Sequence, residues 1–94
     1  MVTEVIRIHI PDGESERFLT TFRSASKAYY AQPGCVANRL FTVEDDATLI
    51  VGIIEWADKN AFESALSSPV GQAFISQVGP LMAAPPDMVF CRPA

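Results

Sequence analysis

Between Thr48 and Trp56 the chain runs through Leu49, Ile50, Val51, Gly52, Ile53, Ile54 and Glu55 with almost no polar relief. At a period of two, Ile50, Gly52, Ile54 and Trp56 point one way and Leu49, Val51 and Ile53 the other. Both faces are apolar, so the segment reads as a strand covered on both sides. Such a strand needs neighbours along its edges and a layer against each face. The rest of the chain reads as what supplies them.

Residues 2–10 alternate as a strand, with Ile6, Ile8 and Ile10 on one face and Val5, Arg7 and His9 on the other. Pro11-Asp12-Gly13 stops it. From Glu14 to Ala31 the period lengthens: Phe18, Phe22, Ala25 and Tyr29 form one stripe of an amphipathic helix. Glu14 and Glu16 sit in its first turn, where the helix dipole favours anions, and Pro33-Gly34 ends it. Residues 35–44 set Cys35, Ala37, Arg39, Phe41 and Val43 against Val36, Asn38, Leu40 and Thr42. The short polar stretch Asp45-Asp46-Ala47 then folds this strand antiparallel onto the long one. Asp58 is placed to cap a helix with Ala61, Phe62, Ala65 and Leu66 inward. Ser68-Pro69 repeats the cap-and-proline signature and restarts the helix, with Val70, Ala73, Phe74, Val78 and Leu81 inward. Gly79-Pro80 ends this piece, Ala83-Ala84-Pro85-Pro86 connects, and Met88–Arg92 makes a last strand.

The order β-α-β-β-α-β in one domain, 1–94, predicts an α+β, ferredoxin-like fold. Its four-stranded antiparallel sheet has both helical regions on one face. The opposite face, carrying Val5, Val36, Leu40, Leu49, Val51 and Ile53, is then bare. With 49% of residues hydrophobic, the chain holds more apolar surface than so short a domain hides. A homodimer packed sheet to sheet is the expected remedy.

A net charge of −4 argues against nucleic acid or an anionic membrane as partner. No apolar run approaches the roughly 18–20 residues of a membrane span, and the start lacks the basic and long apolar regions of a leader. A cytoplasmic location is expected. Cys35 and Cys91 read as buried thiols in strands; with no CxxC and a single histidine, His9, no metal site is expected. There is no Ser-His-Asp set and no GxGxxG, so neither nucleotide nor flavin is expected as cofactor.

Several features stand in a familiar order. Pro33-Gly34-Cys35 opens strand two, an acidic turn precedes strand three, and Glu55-Trp56 ends it. Phe62 lies in the next helix and Ser68-Pro69 begins that helix's second piece. Together, over essentially the whole chain, they resemble the antibiotic biosynthesis monooxygenase (ABM) domain, a dimeric α+β barrel family. The resemblance implies a pocket in each subunit between sheet and helices. It also implies either cofactor-free oxidation of small aromatic or quinol-type substrates or, in another branch, haem degradation. The haem branch uses a tryptophan at the end of strand three, which Trp56 matches. It also uses a histidine ten residues on, where this chain has Leu66, and an asparagine in strand one, where it has Ile6. A leucine cannot ligate iron, so haem degradation is not expected.

The pocket so implied has Ile6, Ile8, Phe22, Ile54, Phe62, Leu66 and Phe74 as substrate-binding walls. Trp56, Arg39 and Tyr29 are the candidates for chemistry. Trp56 would stack on a planar ligand, and Tyr29 (or Tyr30) would donate a hydrogen bond to a substrate oxygen. Arg39, on the face of Cys35 and Phe41 and so toward the helices, would stabilise a phenolate or peroxide anion. Plainer readings stand beside these: Trp56 as a core aromatic, Arg39 as a strand arginine paired at an edge, His9 and Arg7 as a polar spot in the dimer interface. The functional expectation is a cofactor-independent monooxygenase. The alternatives are a non-catalytic dimeric domain that binds a small apolar metabolite and a dimer with no pocket.

Overall fold

The computed structural model describes residues 1–94. Strands β1 (Val2–His9), β2 (Cys35–Val43), β3 (Asp46–Trp56) and β4 (Asp87–Cys91) form one antiparallel sheet in the order β2-β3-β1-β4. Helices α1 (Ser15–Tyr30), α2 (Lys59–Ser67) and α3 (Pro69–Val78) cover one face, and a single 3-10 turn at Gly79–Leu81 leads into β4. This is the ferredoxin-like arrangement expected from the alternation of periods. The long apolar strand, β3, lies inside the sheet between β2 and β1.

The core lies between sheet and helices. Ile8, Ile10, Ile50, Ile54 and Trp56 rise from the sheet to meet Phe18, Phe22 and Tyr29 of α1, Phe62 and Ala65 of α2, and Phe74 and Val78 of α3. Helix starts follow the sequence closely. The Asp58 carboxylate accepts from Ala61 N at 2.8 Å, and the Ser68 hydroxyl accepts from Gly71 N at 3.0 Å. Each side chain satisfies an amide that the first helical turn leaves unpaired. The break between α2 and α3 is tight: a Cβ on Gly71 would stand 2.1 Å from the Ala65 carbonyl oxygen, so only glycine fits there. Gly34, with φ +92°, makes the turn into β2, and a Cβ on it would meet Ala61 Cβ at 2.4 Å.

Four expectations need correcting. In α3 the inward phase is Gly71, Phe74 and Val78, and Val70 and Ala73 face solvent; the tight entry after Ser68 sets the helix rotation. In α1 the buried stripe passes through Ser26, with Ala25 beside it at intermediate exposure. Cys91 is exposed in the edge strand β4, while Cys35 is half-buried in the opposite edge strand β2. Three strand spacings, about 14 Å, separate the two thiols' strands, beyond the reach of a disulfide.

The fourth correction concerns β2. Cys35 pairs with Trp56, but Ala37 already pairs with Glu55, so two residues of β2 answer one of β3. Val36 is the extra residue of this β-bulge, and the side chains from Ala37 to Thr42 change face, up to a second irregularity between Thr42 and Val43. Leu40, expected on the bare side, turns to the helices, where its Cδ2 would lie 3.4 Å from a Cβ on Gly52. Arg39 and Phe41, expected toward the helices, lie opposite Ile53 and Val51 on the open side. There the Arg39 guanidinium sits 4.8 Å from the Phe41 ring centroid, a cation–π contact.

Candidate functional site

Period two places Val2, Glu4, Ile6 and Ile8 of β1 on the helix-covered face. Three of these are apolar and one is a carboxylate. Glu4 is 4% exposed, the one buried acidic residue of the 11 in the chain. It lies opposite Ile54 of β3, and diagonally from it stands Trp56, wholly buried, whose indole N–H donates to Glu4 Oε1 at 3.0 Å.

Above this pair lies a cavity of ≈ 600 Å³, bounded by β1, the inner faces of α1, α2 and α3, and the connector from Met82 to Pro86. Its size is that of a small-molecule site. The aromatic part of the wall is a continuous cluster. Tyr29 and Phe74 stack at 4.5 Å, and Phe22 meets Phe74 edge-on at 5.3 Å. Tyr30 leans on Tyr29 at 5.2 Å. Trp56 supports the cluster from behind, edge-on to Tyr29 at 5.9 Å and to Phe62 at 5.7 Å. The connector is tied to the sheet by Ala83 N donating to the His9 carbonyl at 2.7 Å, which makes it a fixed wall of the cavity.

The electrostatics follow from burial. Glu4 is the only lining residue with an acidic or basic side chain. Loss of solvent pushes its carboxyl above the ordinary carboxylate range, and the indole hydrogen bond offsets only part of that. Burial, with the Glu4 charge adding to it, raises both the Tyr29 and Tyr30 phenols well above their usual range, so both stay protonated donors. The Cys35 thiol is raised by the same two causes. No three His, Cys, Asp or Glu side chains converge anywhere in the fold.

Seven of the residues expected at the site line this cavity: Ile6, Ile8, Phe22, Tyr29, Phe62, Leu66 and Phe74. Ile54 and Trp56 lie one layer deeper, in the core beneath it, and Trp56 reaches the cavity through Glu4 and not by its own surface. Arg39 is not brought to it. The bulge turns Arg39 onto the open face, where it also borders a separate, more open groove with Arg23 and Lys27. The sequence reading missed Glu4 and the connector. The signal for Glu4 was present: extending the alternation of Ile6 and Ile8 back one step puts it on the same face. The connector has no periodicity to read, and only the path of the chain brings Met82, Pro85 and Pro86 over the opening.

No helix is long and apolar enough to cross a membrane. No curated protein matches the chain in sequence. Among solved structures, a Bordetella bronchiseptica protein superposes with a TM-score of 0.90 at 17% identity, over 99% of this chain and 96% of its own. The crystal structure of an antibiotic biosynthesis monooxygenase superposes at 0.86 with 18% identity, over 100% and 99%. SnoaB, a cofactor-independent oxygenase from Streptomyces nogalater, superposes at 0.82 with 26% identity, over 99% and 94%. Residues 1–77 match the family described as antibiotic biosynthesis monooxygenase. With most of its length matched and its whole fold shared, the chain belongs to the antibiotic biosynthesis monooxygenase family.

Proposed function

We propose that this protein is a cofactor-independent monooxygenase acting on a small aromatic or quinol-type substrate held between sheet and helices. The observation that carries this reading is the cavity itself. A space of ≈ 600 Å³, walled by five aromatic rings and aliphatic side chains with one carboxylate, suits a planar, electron-rich molecule. The 26% identity to SnoaB, a cofactor-independent oxygenase, supports the reaction class. In such a reaction the substrate supplies the electrons. An aromatic methylene and O2 give a ketone and water, with both C–H bonds broken, one oxygen atom retained on carbon and the other leaving as water. The protein's part is a dry cage and a few donors. Ile6, Ile8, Phe22, Phe62, Leu66 and Phe74 form the walls, and the Tyr29 hydroxyl is the hydrogen-bond donor to the substrate oxygen.

The protein is also proposed to act as a homodimer. Val5, Leu49, Val51, Ile53, Phe41 and Val89 share the sheet face that no helix covers, and Phe41 and Val89 are 39% and 59% exposed. An apolar face of this extent is a standing association surface.

Oxygen uptake with a panel of hydroquinones and anthrones tests the reaction. Saturable uptake that weakens in Leu66→Trp, which sets an indole into the cavity, is the expected result. The thin polar inventory of the wall favours a second reading, a non-catalytic domain that holds a small apolar metabolite. Tight saturable binding with no uptake across the panel would establish that reading in place of the first.

A further inference from the structure

The mechanism outlined above leaves the most costly group in the cavity without a task. Taking a carboxylate out of water costs several kcal/mol unless it is fully partnered. Glu4 has one partner, the Trp56 indole on Oε1. Every fully enclosed side-chain nitrogen or oxygen in the protein has a hydrogen-bond partner. The second oxygen of Glu4 has none within the chain, so it is not enclosed, and the space beside it is the cavity that Glu4 lines. The carboxyl is therefore held by one oxygen and offers the other.

We infer that Glu4 is the proton acceptor of this cavity, positioned by Trp56, and that the molecule it serves is a neutral aromatic carrying an acidic hydroxyl. This inference rests on the reading of the cavity as a small-aromatic site. The charge inventory selects the ligand class. No Lys, Arg or His lines the cavity, so no cation offsets the charge that a ligand entering as an anion would add beside the Glu4 carboxylate. A neutral hydroxyl compound enters without adding charge. When its O–H bond breaks and the proton bonds to the free Glu4 oxygen, the carboxylate becomes a carboxylic acid and the ligand a phenolate. The cavity holds a single negative charge before and after. That charge moves from two carboxylate oxygens to a ring system over which it spreads. The Tyr29 and Tyr30 hydroxyls both belong to lining residues and stay protonated, which suits them to donate to the new phenolate oxygen. The elevation of Glu4 by burial supports the role, since a general base works best when its affinity for the proton approaches that of its substrate.

The groups that face Glu4 are Tyr29 and Tyr30 from α1, Cys35 from β2 and the indole from β3. The three titratable ones are all raised, which keeps them protonated through the range in which carboxyl groups titrate.

Two probes separate the claims: 4-nitrophenol, which carries the acidic hydroxyl, and 4-nitroanisole, its methyl ether. Both are titrated against the full-length protein by calorimetry across pH. In the wild type, nitrophenol affinity rises with pH above the ordinary carboxylate range as Glu4 ionises, then falls as the free phenol ionises; nitroanisole affinity stays flat. Glu4→Gln keeps an oxygen for the Trp56 indole but has no charge. It removes the rising limb and weakens nitrophenol about tenfold, as expected for exchanging a charge-assisted hydrogen bond for a neutral one, while nitroanisole changes less than about twofold. Equal nitrophenol profiles in wild type and Glu4→Gln would overturn the role of Glu4 and leave the cavity reading intact. Failure of the wild type to bind either probe would overturn the cavity reading, and this inference with it. If Glu4→Gln lacks the wild-type circular dichroism spectrum, the wild-type profile alone decides: no rising limb refutes the proposal.

Discussion

Replacing Trp56 by phenylalanine tests how the site is held together. The indole is wholly buried and its N–H is the only partner of Glu4. Phenylalanine keeps a ring in the corner but loses the donor and one fused ring. An acceptor stranded in the interior costs about 1–3 kcal/mol. The incomplete filling of the corner adds roughly 1 kcal/mol, below the ~3–5 kcal/mol of a full truncation. The sum, about 3 kcal/mol, corresponds to a fall in Tm of order 15 °C for a domain of this size. The sign with pH follows from Glu4. Its folded-state carboxyl is raised above the value of 4.5 that describes the unfolded chain, so the folded protein holds the proton more tightly. Stability is then fullest below that value and is lost as pH climbs through the folded pKa. The indole opposes this by stabilising the carboxylate. Without it the folded pKa rises further, so the penalty of Trp56→Phe grows toward neutral pH and shrinks in acid to the packing part. Urea unfolding followed by far-UV circular dichroism, at one fixed protein concentration in acid and in neutral buffer, measures this directly. The variant has no tryptophan left for fluorescence, since Trp56 is the only one. The companion is Glu4→Leu combined with Trp56→Phe, which removes both polar partners. At neutral pH the double variant should be about 2 kcal/mol more stable than the sum of the single changes predicts. Additivity within about 0.5 kcal/mol, or a Trp56→Phe penalty independent of pH, would refute the coupling.

Arg39→Ala should leave 4-nitroanisole affinity within about twofold, because the bulge turns Arg39 away from the cavity; a loss of tenfold or more in calorimetry would show that the register is wrong. Gly34→Ala should destabilise by about 2 kcal/mol or more in urea unfolding, since φ is positive there and the new Cβ collides with Ala61; a cost under about 0.5 kcal/mol would contradict that geometry. Val51→Asp, on the open sheet face, should halve the sedimentation mass from about 20 kDa to the 10.2 kDa of one chain; a wild type already at 10.2 kDa would remove the dimer proposal. Leu66→Trp should weaken 4-nitroanisole at least about tenfold with the circular dichroism spectrum unchanged, because the new ring occupies space that a ligand needs.

The fold was legible because hydrophobic periodicity reports directly on burial. The change from period two in Ile6, Ile8 and Ile10 to the helical stripe of Phe18, Phe22 and Tyr29 is a change in which atoms meet water. Asp58 and Ser68-Pro69 announced their helices because caps answer a local need of the backbone. The site was half legible. Residues on long regular stretches fell where the pattern put them, and seven lined the cavity. Glu4 escaped because a carboxylate on an inward face reads as an irregularity until its partner is known, and that partner lies 52 positions away in sequence. The residues from Met82 to Pro86 escaped because they have no period at all.

What the sequence by itself determined is the α+β order, the depth of β3, the helix starts and the aromatic character of the space beneath the helices. All of these rest on local chemistry repeated along the chain. Tertiary structure alone decided the face of Arg39, the isolation of Cys35 from Cys91, and the union of Glu4 with Trp56 at the floor of the cavity. A single unpaired residue at Val36 inverts the side chains from Ala37 to Thr42, and it does so because strand register is set by pairing with β3, not by β2. Burial of Glu4 likewise depends on helices that arrive from elsewhere in the chain. These are properties of which segments meet, and a one-dimensional pattern holds no record of its neighbours.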